Sequence, residues 1–215
     1  MLVGLSVGVG PGEVSAAYRF LASDGHRHWA GFDPTGPTDL FSRLDVQMLD
    51  LDYSLNKQFG SGWDVRLNVG AKLGSVFFDT FADSPMFSDH VSNFFFGAGP
   101  HAALALTRGL GNTGIALFGR ADFATLVGQV RQNFSEAVFD VNGNALGFGA
   151  TTQRLTRGVP VLSVQLGFSA SPFTGRWGNW QAGYQFEQWW TVGQVGASTG
   201  DLILHGFFAR YTVNY

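Results

Sequence analysis

Taken two residues at a time, the chain separates into apolar and polar sets over most of its length. The clearest stretch runs Trp63, Val65, Leu67, Val69, Ala71, Leu73 on one parity and Asp64, Arg66, Asn68, Gly70, Lys72, Gly74 on the other. That period of two marks a strand with two different faces. Facing the second set into a dry core would bury three charges in one strand, at several kcal/mol each. The apolar set is therefore expected to be the covered one.

The same alternation recurs from end to end. Val3, Leu5, Val7 and Val9 alternate with Gly4, Ser6 and Gly8, and Gly10-Pro11-Gly12 turns the chain into Val14, Ala16, Tyr18 and Phe20, opposite Ser15, Ala17 and Arg19. Leu49, Leu51, Tyr53 and Leu55 oppose Asp50, Asp52, Ser54 and Asn56, with a slip of parity at Met48 and Leu49 that reads as a bulge. Phe94, Phe96, Ala98, Ala102, Leu104 and Leu106 oppose Gly97, Gly99, His101 and Thr107; Ile115, Leu117, Ala121 and Phe123 oppose Ala116, Phe118, Arg120 and Asp122. Leu162, Val164, Leu166 and Phe168 face away from Ser163, Gln165, Gly167 and Ser169, as Trp180, Ala182, Tyr184 and Phe186 do from Asn179, Gln181, Gly183, Gln185 and Glu187. The last stretch places Ile203, His205, Phe207, Ala209, Tyr211, Val213 and Tyr215 opposite Leu204, Gly206, Phe208, Arg210, Thr212 and Asn214.

These stretches predict nine strands joined by connections that alternate in length. GPGE, KQFGSG, GLGN and SPFTGR are short, whereas residues 23–42, 79–91, 131–157 and 193–200 read as longer loops. Short turns at one end and long loops at the other is the arrangement of an antiparallel up-and-down transmembrane β-barrel. The expected fold is thus all-β, a single barrel domain over residues 1–215. Single-chain bacterial barrels have even strand numbers, so the expectation includes a tenth strand and a signal peptide preceding Met1.

Composition sharpens this picture. Charged residues are 13% of the chain, against about 25% in ordinary soluble proteins, so something other than charge must cover the surface. With 30 Gly, 21 Phe and no Cys, the chain favours short strands and close backbone approach over helices. A net charge of -3 without a clustered basic patch argues against nucleic acid as a partner. No apolar run is long enough for a membrane-spanning helix, but a barrel strand needs only about 9 to 11 residues.

Several motifs carry little weight. Gly109-Leu110-Gly111-Asn112-Thr113-Gly114 matches a dinucleotide fingerprint, yet the residues after it alternate in twos where a helix is required. Gly4-Leu5-Ser6-Val7-Gly8 matches a nucleophile elbow inside an alternating strand. His26 and His28 with Asp24, and Asp79, Asp83, Asp89 and His90, could ligate a metal but read as solvated loops. His101 has no acid or Ser at triad spacing. The sequence thus points to no catalysis, no metal and no cofactor.

The residues with functional content are the polar-face charges: Arg19, Asp50, Asp52, Asp64, Arg66, Lys72, Arg120, Asp122, Glu187 and Arg210, with His101. In a pore, opposed acids and bases set a transverse field that selects ions. In a barrel of about 8 strands the same groups can pair and fill the bore. Trp63, Trp177, Trp180, Trp189, Trp190 and Tyr215 stand near predicted strand ends, where amphipathic rings form membrane-interface girdles.

Arg43-Leu44-Asp45-Val46-Gln47 with Asp50-Leu51-Asp52, Asn93-Phe94-Phe95-Phe96-Gly97-Ala98-Gly99-Pro100, Phe118-Gly119-Arg120, Leu126-Val127-Gly128 and Val159-Pro160-Val161-Leu162 resemble, in order and spacing, the pore-forming outer-membrane proteins typified by the Legionella major outer membrane protein. The likeness covers residues 43–215, and Asp52 stands where a Glu is expected. It implies a porin-like barrel in the bacterial outer membrane, in contact with its lipid, and it carries over no ligand site. The aromatic C-terminal strand resembles the signal by which the barrel assembly machinery recognises its substrates. Whether copies associate into a homo-oligomer stays open. The expected function is passive diffusion of ions or small hydrophilic solutes, with a non-conducting structural or adhesive barrel and a soluble ligand-binding barrel as the alternatives.

Overall fold

The computed structural model describes residues 2–30, 38–60, 62–170, 178–195 and 198–212. Within them the chain is all-β: β1 (Leu2–Val9), β2 (Gly12–Trp29), β3 (Thr38–Phe59), β4 (Trp63–Asp83), β5 (Phe87–Gly109), β6 (Ile115–Phe139), β7 (Ala145–Ala170), β8 (Asn179–Val195) and β9 (Ser198–Thr212). All nine lie in one sheet in sequence order, each antiparallel to the next. The two-residue turn after β1 has Gly10 at φ 60°, where a Cβ would crowd the backbone.

The alternation read from the sequence is the alternation of the two faces. Asn68, Lys72, His101, Asp122, Ser163 and Glu187 are buried on the concave side, while Leu67, Val69, Leu104, Phe123, Leu166 and Phe207 are exposed on the other. The sheet curls until distant strands touch across its concave side. Arg19 of β2 reaches Glu187 of β8 at 2.5 Å, and the Trp189 ring of β8 lies so close to β4 that a Cβ added at Gly74 would meet it at 2.8 Å. The curl leaves the sheet open among the described residues: β1 pairs only with β2, and β9 only with β8. The closed barrel of the expectation is therefore seen as a single curled meander with two free edges.

Three further expectations are corrected. β3 has no bulge at Met48 and Leu49; it pairs in unbroken register with β2 and β4. The slip of parity has another cause. Val46 and Met48 share the concave face with Asp50 and Asp52, and that face turns from polar to apolar along the strand. The predicted long loops are mostly strand: β4 and β5 extend to Asp83 and from Phe87, and β6 and β7 run 25 and 26 residues with a turn over 140–144. The β7 arm is solvated on both faces, residues 145–156 being exposed throughout, so no periodicity marks it in the sequence. Finally, Trp189 is 0% exposed and lies in the interior rather than at an interface. The irregularity in β8 falls just after it, where the register to β9 shifts between Trp189 and Gly193 and Thr191 adopts φ 56°.

Candidate functional site

The concave side is built in two tiers. Towards the short turns it is a charged chamber. Lys72 of β4, 2% exposed, lies between Asp50 of β3 at 3.2 Å and Asp122 of β6 at 3.3 Å. The His101 ring of β5 is inserted between two carboxylates, Nε2 2.5 Å from Asp52 and Nδ1 3.5 Å from Asp122. Arg120 approaches the other oxygen of Asp122 at 3.3 Å. Arg66 donates to Glu13 at 2.8 Å and to Ser54 at 3.2 Å, and Asn68 donates to Asp52 at 3.5 Å. Between these groups is a cavity of about 200 Å³, room for about six waters at their liquid volume of about 30 Å³ each.

Towards the long hairpins the same face becomes apolar. Val46, Met48, Val76, Phe95, Ala124, Leu126, Val130, Val159, Val161, Trp189 and Val192 form one buried cluster. Its members come from every strand between β3 and β8, so the cluster spans the concavity instead of lining one wall. Phe95 of β5 meets Trp189 of β8 edge-on at 6.4 Å. Glycine makes room for this. At Gly74 an added Cβ would also lie 2.8 Å from Leu126 Cδ1.

Glu187 joins the two tiers. Arg19 donates to both of its oxygens at 2.6 and 2.5 Å, and the indole Nε1 of Trp189 donates to Oε1 at 2.8 Å. A carboxylate that is 0% exposed is tolerable only because its charge and its lone pairs are satisfied together.

Of the residues singled out from the sequence, Arg19, Asp50, Asp52, Arg66, Lys72, His101, Arg120, Asp122 and Glu187 come together in this network. Arg210 borders the same cavity, its guanidinium over the Phe208 ring at 5.6 Å. Asp64 does not join them; it is exposed at the short-turn rim. Trp63 and Trp180 are exposed there too, Trp63 against the Arg108 guanidinium at 5.1 Å and Trp180 against Tyr211 at 4.8 Å. Trp190 is half-buried near the β8 irregularity. Trp177 and Tyr215, and with Tyr215 the end of the proposed assembly signal, lie outside the described residues. Glu13 and the apolar tier went unread, Glu13 because the sequence assigns it to the GPGE turn although it lies in β2, the apolar tier because it looks like disordered parity.

The histidines of the hairpin arms pair with acids rather than grouping around a cation site. His28 Nδ1 is 2.7 Å from Asp39 and His90 Nε2 is 2.7 Å from Asp79, and no group of three or more candidate metal ligands occurs among the described residues. Comparison with family models, curated proteins and solved structures finds no match.

Proposed function

We propose that this chain is an outer-membrane β-barrel protein whose convex side faces lipid. The observation that carries the reading is a continuous apolar belt on that side. It comprises Leu49 to Leu55 on β3, Trp63 to Leu73 on β4, Phe94 to Leu106 on β5, Ile115 to Val127 on β6, Leu162 to Phe168 on β7, Trp180 to Phe186 on β8 and Ile203 to Tyr211 on β9, each at alternate positions. These spans, 7 to 13 residues long, bracket the roughly 9 to 11 residues with which a tilted strand crosses a bilayer. A monomer in water rarely exposes so large a contiguous apolar area. The resemblance to the Legionella major outer membrane protein-like family points the same way.

Such a barrel can conduct or be closed, and the filled interior favours the closed form: a non-conducting structural or surface-display barrel carrying the long β6/β7 arm. The apolar tier and the Trp189 ring occupy the cross-section, and an apolar constriction blocks ions by excluding water. The charged chamber beneath supports the second reading, a pore for ions or small solutes entered when the tier rearranges. Planar-bilayer recording of the purified protein decides between them. Wild-type protein is expected to insert without current steps, and Trp189→Ala to give steps. Stable steps from the wild type would overturn the closed reading in favour of the pore.

A further inference from the structure

The apolar belt ends on β6 and β7 at an unusual pair. Arg131 and Arg154 are direct register partners on the convex face, both exposed. Like charges opposite each other in an antiparallel pair repel, and a sheet normally avoids the arrangement. None of the ion pairs formed among the described residues involves either arginine, and their convex-face neighbours are uncharged: Phe94, Gln129, Asn133, Thr152 and Thr156. Arg43, by contrast, also sits on the convex face above the belt, but Asp45 neutralises it at 2.8 Å. Directly below the two guanidiniums runs a groove floored by Gly97 and Gly128 and walled by Phe94, Phe96 and Val127. It opens onto the belt.

We propose that Arg131 and Arg154 hold the phosphate of a membrane lipid, with one of its acyl chains lying in the Phe94, Phe96 and Val127 groove. The inference rests on the lipid-facing reading of the belt. Two planar guanidiniums suit a phosphate because each can donate two parallel hydrogen bonds to its oxygens. A dianion or monoanion between them removes the repulsion that the bare sheet carries. The groove supplies what a free anion could not use, an apolar channel continuous with the membrane-facing surface. The source of the phosphate is therefore a lipid.

The test uses the full chain in detergent micelles, titrated with dihexanoyl phosphatidic acid, dihexanoyl phosphatidylcholine and inorganic phosphate, binding being read by the shift in thermal unfolding midpoint. Phosphatidic acid is expected to raise the midpoint and to bind at least tenfold more tightly than the other two. The double variant Arg131→Gln/Arg154→Gln, and each single variant, should lose that preference, whereas Arg43→Gln should keep it. Equal binding of inorganic phosphate, or an unchanged preference in the double variant, overturns the site. A nitroxide at Leu104→Cys reports separately whether the belt meets lipid. Lipid contact there with no effect of the arginine variants sinks the phosphate site alone, while a water-exposed Leu104 sinks the membrane reading and the site with it.

Discussion

Glu187 shows most clearly how single residues hold this interior together. Its carboxylate accepts from Arg19 and Trp189 at once, so it fixes both the contact between β2 and β8 and the position of the indole. Glu187→Ala leaves the Arg19 charge without its partner in a mostly enclosed site, and losses of about 3–5 kcal/mol follow from breaking buried pairs in this way. The expected result is a strongly lowered unfolding midpoint in detergent. A midpoint within a degree of wild type would show that the Arg19 contact does not form. Gly74 makes a complementary case. Gly74→Ala drives a methyl to 2.8 Å from both Trp189 and Leu126, and overpacking of that kind costs about 1–3 kcal/mol. Gly206→Ala, with open space around it, serves as the control and should be neutral.

A pH effect belongs at the same scale. In the β6/β7 turn Asp140 accepts from the Asn142 and Asn144 amides at 2.8 Å and from the Asn144 side chain at 2.9 Å. These hydrogen bonds, the Asn144 side chain's first, hold its carboxyl below the usual carboxylate value of 3.8. The sign follows: a lowered folded-state value stabilises the turn above pH 3.8 and the contribution disappears as pH falls through the lowered value. Amide protection factors at Asn142 and Asn144, that is, exchange rates corrected for the intrinsic pH dependence, should hold at neutral pH and fall only in that acid range. Asp140→Asn should remove the acid-dependent change, and its persistence would count against the assignment.

At the scale of elements, the strands divide into a part that packs and a part that projects. β6 and β7 pair from Ile115 to Phe139, yet no residue of the arm from Asn133 to Thr152 is buried, Leu146 and Phe148 included. Its removal should therefore leave the rest folded. A chain in which residues 134–151 are replaced by a short Asn-Gly turn is expected to keep heat-modifiable migration on gels, while loss of folding would show that the arm stabilises the sheet. The same division explains what the sequence disclosed. Strands were legible where one face met the interior and the other the convex belt, as from Trp63 to Gly74. The arms were not, because a strand wet on both faces has no reason to alternate. Nor was the apolar tier: with Phe95 inside between Phe94 and Phe96 outside, and Leu126 inside next to Val127 outside, both faces are apolar and the period vanishes just where the packing is tightest. The charged network was visible as a set of residues, since each lies on the polar parity. Which acid meets which base was not, because that depends on the curl that brings β2 to β8 and β4 to β6.

The packed part of the molecule inverts the usual distribution of polarity: Asp52, Lys72, Asp122 and Glu187 are buried inside, paired, while Leu5, Phe123, Leu166 and Phe207 stand outside, Phe207 at 92% exposure. Water as the surrounding solvent would make this arrangement costly at roughly 25 cal/mol per Å² of apolar surface. Lipid makes it favourable. The free edges of β1 and β9 belong to this scale as well, since unpaired backbone groups in a hydrocarbon layer carry a cost of several kcal/mol each, so a membrane environment selects for their closure.

The convex belt as a lipid-facing surface is the central claim, and the absence of cysteine makes a direct measurement simple. Nitroxides placed one at a time at Leu67, Leu104, Phe123 and Leu166, and at Ser163 and Ala103 on the concave side, are read for collision with oxygen and with a water-soluble nickel chelate in reconstituted vesicles. The account predicts high oxygen and low nickel accessibility at the first four positions and low accessibility to both at Ser163 and Ala103. High nickel accessibility at Leu67, Leu104, Phe123 and Leu166 would contradict it.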